Sequence, residues 1–334
     1  MRADAMSISP KQVVPHLNLL DQDDVLPVLH RWRSNGMRAA LVTLVSVEGG
    51  APRQPGAQMA VAEDGSYVGY LSGGCLEQAV ALEARSVIAC GQNRLVRYGK
   101  GSPYFDIRLP CGSGLDLYFD QALDIDVIEA MSAMRARRCS FAMTTRLSSG
   151  ASTAEALAED AIPLSHRSDD AFTRVYAAPL RLALIGNGPA LTGIATLARA
   201  TGVDTLVWSS DEATQSQLAQ LGVTARSAPA ELVGMIGELD FTTATVLVFH
   251  DHDAEPDILE RLLQRPCFYI GVLGNRAVHR ARLDALREMG VDPQLFGRIH
   301  APVGSIPNAK SKTTFAFGVL TEMLAEAKAS NIIA

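Results

Sequence analysis

Apolar residues recur at helical spacing from Leu19 and Leu20 through Val25, Leu26, Val28, Leu29 and Trp32, and Gly36 ends the run. Pro27 fits only a first turn, so the spacing predicts a helix beginning near Asp24. The stretch 37–47 is continuously apolar around Ala40, Leu41, Val42, Leu44 and Val45, which predicts a buried strand. Two arms at 58–62 and 66–71 flank Asp64-Gly65, a turn pair that predicts a hairpin. An alanine-rich helix follows over 76–90. Strands are predicted at 94–98, 105–109, 115–120 and 139–145, with a helix at 125–137. Between 148 and 170 serine, alanine and aspartate dominate without a period, which reads as a linker.

Beyond that stretch the pattern changes. Strands at 182–185, 205–208, 244–249, 267–273 and 298–301 alternate with helices at 191–201 and 276–289, as in a parallel sheet covered on both faces. The fold class is therefore α/β: a mixed α/β domain over 1–150, a linker over 151–175 and a Rossmann-like domain with a parallel sheet over 176–334.

Composition narrows the function. With 334 residues and 48% hydrophobic content the chain can bury two cores. A net charge of -6, with no long run of lysine and arginine, excludes a nucleic-acid footprint. The five cysteines form no CxxC pair and are odd in number, which argues against a disulfide framework and a closed zinc site and predicts a reducing, cytoplasmic setting. No apolar run reaches the length of a signal peptide or a membrane span, so neither export nor membrane insertion is expected.

The candidate chemistry lies in glycine-rich turns. Cys75 stands in 72–77 (SGGCLE) and Cys111 in 109–114 (LPCGSG), flanked by Gly73, Gly74 and Gly112. A thiol on such backbone can reach a ligand, and amides at the start of the 76–90 helix would attract an anion and favour a Cys75 thiolate. A buried core thiol is the alternative for each cysteine. Farther on, Gly186-Asn187-Gly188 joins a strand to a helix in a dinucleotide-binding context. However, Leu191 occupies the place of the third glycine, and Ser209 and Ser210 occupy the place of the ribose-binding acid. A Rossmann fold without ordinary NAD binding is expected, the glycines otherwise only making the turn. Gly271, Gly274 and Arg276, followed by His279, Arg280 and Arg282, predict a phosphate-holding loop; a basic exposed helix face is the alternative. His250, Asp251, His252 and Asp253 alternate at a spacing that suits metal ligation; a solvated loop with a capping aspartate is the alternative.

Six motifs occur in order: 49–59 (GGAPRQPGAQM), SGGCLE, 110–112 (PCG), 186–189 (GNGP), 269–276 (YIGVLGNR) and 299–304 (IHAPVG). Together they resemble the XdhC/CoxI family over nearly the whole chain. The resemblance implies a maturation factor, rather than an enzyme in its own right, that binds molybdenum cofactor, promotes its sulfuration and delivers it to xanthine dehydrogenase or aldehyde oxidase-type enzymes. It implies a cofactor-handling surface at Pro52, Arg53, Gly56, Gly73, Gly74, Cys75, Glu77, Cys111 and Gly112, with Cys75 and Cys111 facing molybdenum. Gly186, Gly188, Gly271, Gly274 and Arg276 would serve the nucleotide or phosphate part of a molybdopterin or its dinucleotide form. Implied partners are a client molybdoenzyme, a cysteine desulfurase, a cofactor nucleotidyltransferase and a second copy of the chain, with no nucleic acid and no membrane. The chain departs from the family pattern at Ser209, Ser210, Asp211 and Ser305. The competing readings are an NAD(P)-dependent oxidoreductase and a structural adaptor.

Overall fold

A computed structural model describes residues 11–12, 24–72, 74, 76–102, 112–158, 162–250, 252 and 254–333. Gly73, Cys75, Cys111, Asp251, Asp253 and the strand expected at 105–109 lie outside the described residues. The chain divides into two compact units, the first mainly Asp21–Leu157 with Pro163–Tyr176, the second mainly Ala158–Ile162 with Ala177–Ala334.

In the first unit β1 (Lys11–Gln12), β2 (Ala39–Glu48), β3 (Gln58–Ala62), β4 (Ser66–Gly69), β5 (Arg94–Gly99) and β6 (Gly114–Asp120) form one sheet in the order β1-β4-β3-β2-β6-β5. Strand β2 is apolar on both faces because both are covered. Ala40, Val42 and Leu44 pack with Val80, Ala84 and Val87 of α2 (Glu77–Cys90). Ala39 and Leu41 share the other cluster with Leu26, Leu29 and Trp32 of α1 (Leu26–Ser34) and Ile128 and Met131 of α3 (Ile125–Ala136). Pro27 sits in the first turn of α1, as its missing N–H requires.

The segment expected to be a linker is instead structured. β8 (Ser152–Ala156), β9 (His166–Arg167) and β10 (Ala171–Tyr176) join β7 (Phe141–Arg146) in an antiparallel sheet ordered β8-β7-β10-β9. Its residues gave no period because β8 and β9 are largely exposed, so no apolar face marks them. β10 has the missing apolar contacts: Phe172, Val175 and Tyr176 are buried. The Tyr176 hydroxyl donates to Gln58 Oε1 at 2.8 Å, and Gln58 Nε2 donates to Thr43 Oγ1 at 3.0 Å, so a buried chain of hydrogen bonds ties the two sheets. Burial pushes the Tyr176 phenol up to about 12.

In the second unit β11 (Arg181–Gly186), β12 (Asp204–Trp208), β13 (Thr243–Val248), β14 (Tyr269–Val272) and β15 (Ile299–His300) form a parallel sheet in the order β12-β11-β13-β14-β15. Its helices are α4 (Pro189–Ala200), α5 (Glu212–Gln220), α6 (Pro229–Gly237), α7 (Glu255–Leu263), α8 (Arg276–Glu288) and α9 (Lys312–Ala329). α4 packs against α9, while Met235, Ile258, Leu259, Leu262 and Leu286 of α6, α7 and α8 fill a core with Ile185, Leu247 and Ile270. The α/β class with a Rossmann-like parallel sheet is as expected. No helix among the described residues is long and apolar enough to cross a membrane.

Candidate functional site

Strand direction brings the motif-bearing loops of the first unit together. β2 is antiparallel to β3 and β6, β3 to β4, and β5 to β6. The loop after β2, the turn after β4 and the loop between β5 and β6 therefore leave one end of one sheet. These carry GGAPRQPG, SGGCLE and PCG respectively. Side chains lock the arrangement. Arg53 Nη1 donates to the Tyr70 hydroxyl at 2.9 Å, with the guanidinium 4.4 Å from the centre of that ring. Arg97 bonds Asp116 at 3.1 Å, the Lys100 carbonyl at 2.8 Å and Glu48, while Lys100 bonds Glu48 at 2.8 Å. This network clamps the base of the loop that contains Cys111. Lys100 and Arg97 in turn hold the Glu48 carboxyl below its ordinary range.

Glu77 organises the SGGCLE turn from inside. It is buried, and its carboxylate accepts the amides of Leu71 (2.9 Å), Ser72 (2.8 Å), Gly74 (3.0 Å) and Leu76 (3.1 Å) and the Ser72 hydroxyl (3.0 Å). Burial pushes its pKa up, but the amides of Leu71 and Ser72 and the other donors outweigh that and hold it below the ordinary carboxylate value. Of the turn amides expected to serve an anion or a Cys75 thiolate, the described ones, at Leu71, Ser72, Gly74 and Leu76, go to the chain's own carboxylate.

The other predicted residues divide. Pro52 is exposed and Arg53 half-buried. Gly74 and Gly112 are exposed, hold φ of +114° and +65°, and would place a Cβ in open space. Both need glycine for backbone conformation and leave the main chain open to a flat ligand. Gly56 differs: a Cβ there would press on Ser165 Oγ and Arg174 at 3.0 and 3.1 Å, so packing explains it.

In the second unit the Gly-x-Gly loop is closed by its own neighbours. A Cβ on Gly186 would overlap the Val248 carbonyl. Gly188 N–H donates to Thr214 Oγ1 at 2.8 Å, and that hydroxyl donates to Asp211 at 2.5 Å. Ser209 Oγ donates to Asn187 Oδ1 at 2.8 Å, and Asn187 Nδ2 to Ser210 at 3.2 Å. Thr214 escaped sequence reading because its helix, α5, buries only Thr214 and Leu218.

The expected phosphate loop is also rearranged. Gly271 is a strand residue beneath Tyr269 and Val303, and Asn275 caps α8 by accepting from Ala277 and Val278. Arg282 is buried, bonding Glu255 at 2.6 Å and the Leu273 carbonyl at 3.0 Å. Gly274 packs close to Val278 and Arg282, leaving Arg276 exposed at the helix start. His252 faces Glu255 at 3.0 Å, and no group of three potential metal ligands occurs among the described residues.

Comparison with known proteins matches both units. The chain fits the XdhC and CoxI family over residues 32–99 and the XdhC Rossmann domain over 182–323. It is 33% identical over 297 residues to the molybdenum cofactor insertion chaperone PaoD of Escherichia coli (strain K12), covering 86% of this chain and 83% of that protein. It is 24% identical over 315 residues to a probable xanthine dehydrogenase subunit from Bacillus subtilis (strain 168), covering 86% and 92%. The crystal structure of a xanthine dehydrogenase from Bacillus halodurans shares the fold, with a TM-score of 0.69 at 20% identity over 91% of this chain and 96% of that one.

Proposed function

Since this chain belongs to the XdhC and CoxI family, we propose that it binds molybdenum cofactor and assists its insertion into a molybdoenzyme of the xanthine dehydrogenase type. The observation that carries this reading is the convergence of the GGAPRQPG, SGGCLE and PCG loops at one end of one sheet. The residues there suit the cofactor. Its soft, dithiolene-bound metal calls for thiolates, which Cys75 and Cys111 would supply. Its phosphate calls for a guanidinium, and Arg53 stands at this end. Its flat pterin calls for bare backbone, and Gly74 and Gly112 offer it. Pro52 lies beside Arg53 on the same surface. Glu77 acts at one remove by holding the turn that carries Cys75.

The finer steps belong to the same proposal. The loaded chain assists sulfuration with a cysteine desulfurase, receives cofactor from a nucleotidyltransferase in its dinucleotide form, works as a homodimer and hands its cargo to the client in the cytoplasm. The oxidoreductase reading has less support, because the groups that would meet a pyrophosphate and a ribose, Gly188 N–H and the Ser209 and Ser210 hydroxyls, are paired within the chain. Reconstitution tests the proposal: an apo-molybdoenzyme of the client type should gain activity faster from the cofactor-loaded chain than from the same amount of free cofactor. Equal rates would contradict it.

A further inference from the structure

Two of the six motifs, YIGVLGNR and IHAPVG, meet at a group for which the cofactor surface of the first unit has no use. His300 is the last residue of β15, at the carboxyl end of the parallel sheet, where open α/β sheets receive their ligands. Its Nδ1 lies 3.5 Å from Glu322 Oε1, and the other carboxylate oxygen accepts the Gly304 amide. Its ring lies against Tyr269 with centroids 4.6 Å apart and planes 37° apart. Tyr269 itself is fully buried, and burial together with the Glu322 carboxylate pushes its phenol up, so it stays protonated beneath the imidazole. Gly271 makes this possible. A Cβ there would lie 2.7 Å from the Tyr269 hydroxyl and 2.6 Å from Val303, so any larger residue would displace the ring that supports His300.

The imidazole is thus fixed on one edge and open on the other. A carboxylate beside Nδ1 selects the tautomer that carries its proton there and leaves a lone pair on Nε2. Nε2 has no partner among the described residues, and 27% of the His300 side chain remains exposed. Among the described residues no group of three potential metal ligands includes His300.

We propose that the second unit holds a separate ligand subsite at the carboxyl end of β15, where His300 Nε2 accepts a hydrogen bond from a hydroxyl or ring N–H of the ligand, with Glu322 and Tyr269 as positioning residues. This rests on the cofactor reading for the class of the ligand alone: at this site, taken by itself in the second unit, the donor is either a pterin ring or the sugar of a nucleotide. Neopterin and cytidine 5′-monophosphate separate the two sources, and sulfate, which has no donor, is the control.

The test uses the full chain labelled with 15N-histidine. His300 should report an Nδ1-protonated tautomer, and one of the two donor probes should shift its Nε2 resonance while sulfate does not. His300→Phe keeps the ring stack and should bind that probe about tenfold more weakly, the value of one lost hydrogen bond, with His300→Gln recovering part of the loss. Glu322→Gln keeps an acceptor for Gly304 yet should shift the tautomer balance, which a purely structural carboxylate would not do. Equal binding by His300→Phe, or no shift with either probe, would overturn the subsite. A chain that binds a probe at His300 but never retains molybdenum cofactor would instead sink the cofactor reading and leave the subsite standing.

Discussion

Glu77 shows how one side chain can set a loop from inside. Its carboxylate gathers four backbone amides and a hydroxyl, all from residues within six positions of it. Removing it leaves those donors unpaired. Glu77→Ala should therefore cost about 2–4 kcal/mol and Glu77→Gln less, in chemical denaturation. The pH dependence follows from its lowered pKa. A carboxyl whose folded value lies below its unfolded one, ordinarily about 4.3, stabilises fully above the unfolded value, and that gain is lost as pH falls through the folded one. The Glu77→Gln protein should accordingly show a shallower loss of stability between neutral and strongly acidic pH than the wild type. Parallel acid limbs would mean the carboxylate is not ionised in the fold. Gly271→Ala belongs to the same scale. The overlap with Tyr269 and Val303 should cost about 1–3 kcal/mol, read in the same titration.

At the scale of elements, the antiparallel strands β8, β9 and β10 make the sharpest contrast between pattern and structure. Their amides pair with β7 and with one another. Hydrogen exchange of 141–146 and 171–176 should be slow and closely matched, whereas a linker would exchange at once. What could be read in advance followed physical signal strength. Asp64-Gly65 turns β3 into β4 as its type demands, and the apolar run of β2 marks a strand buried on both faces. The alternation from β11 to β15 showed through because β11, β13 and β14 are almost wholly buried and β12 ends on buried Val207 and Trp208. Helices α5, α6, α7 and α9 did not show: α5 is largely polar, and α6 buries only Met235 and Ile236. At the site, the thiol turns and Arg53 were visible as residue types. The partners of Glu77 were invisible because all but the Ser72 hydroxyl are backbone, and those of Gly188 and His300 because Thr214 and Glu322 are joined to them only by folding.

For the whole molecule, each unit has its own core and its own candidate site, and the family match extends to both. The internal pairing of Gly188, Asn187 and Ser209 predicts that calorimetry finds no micromolar affinity for NAD or NADP. A micromolar constant would restore the oxidoreductase reading. The proposal places molybdenum cofactor handling at the end of the first sheet, with Cys75 and Cys111. It is tested most directly by purifying the chain, Cys75→Ser and Cys111→Ser from molybdate-fed cells and measuring molybdenum and pterin per chain beside thermal melts. The wild type should carry bound cofactor, and each variant should lose most of it at unchanged melting temperature. Cofactor retained equally by both variants, or absent from the wild type, would contradict it.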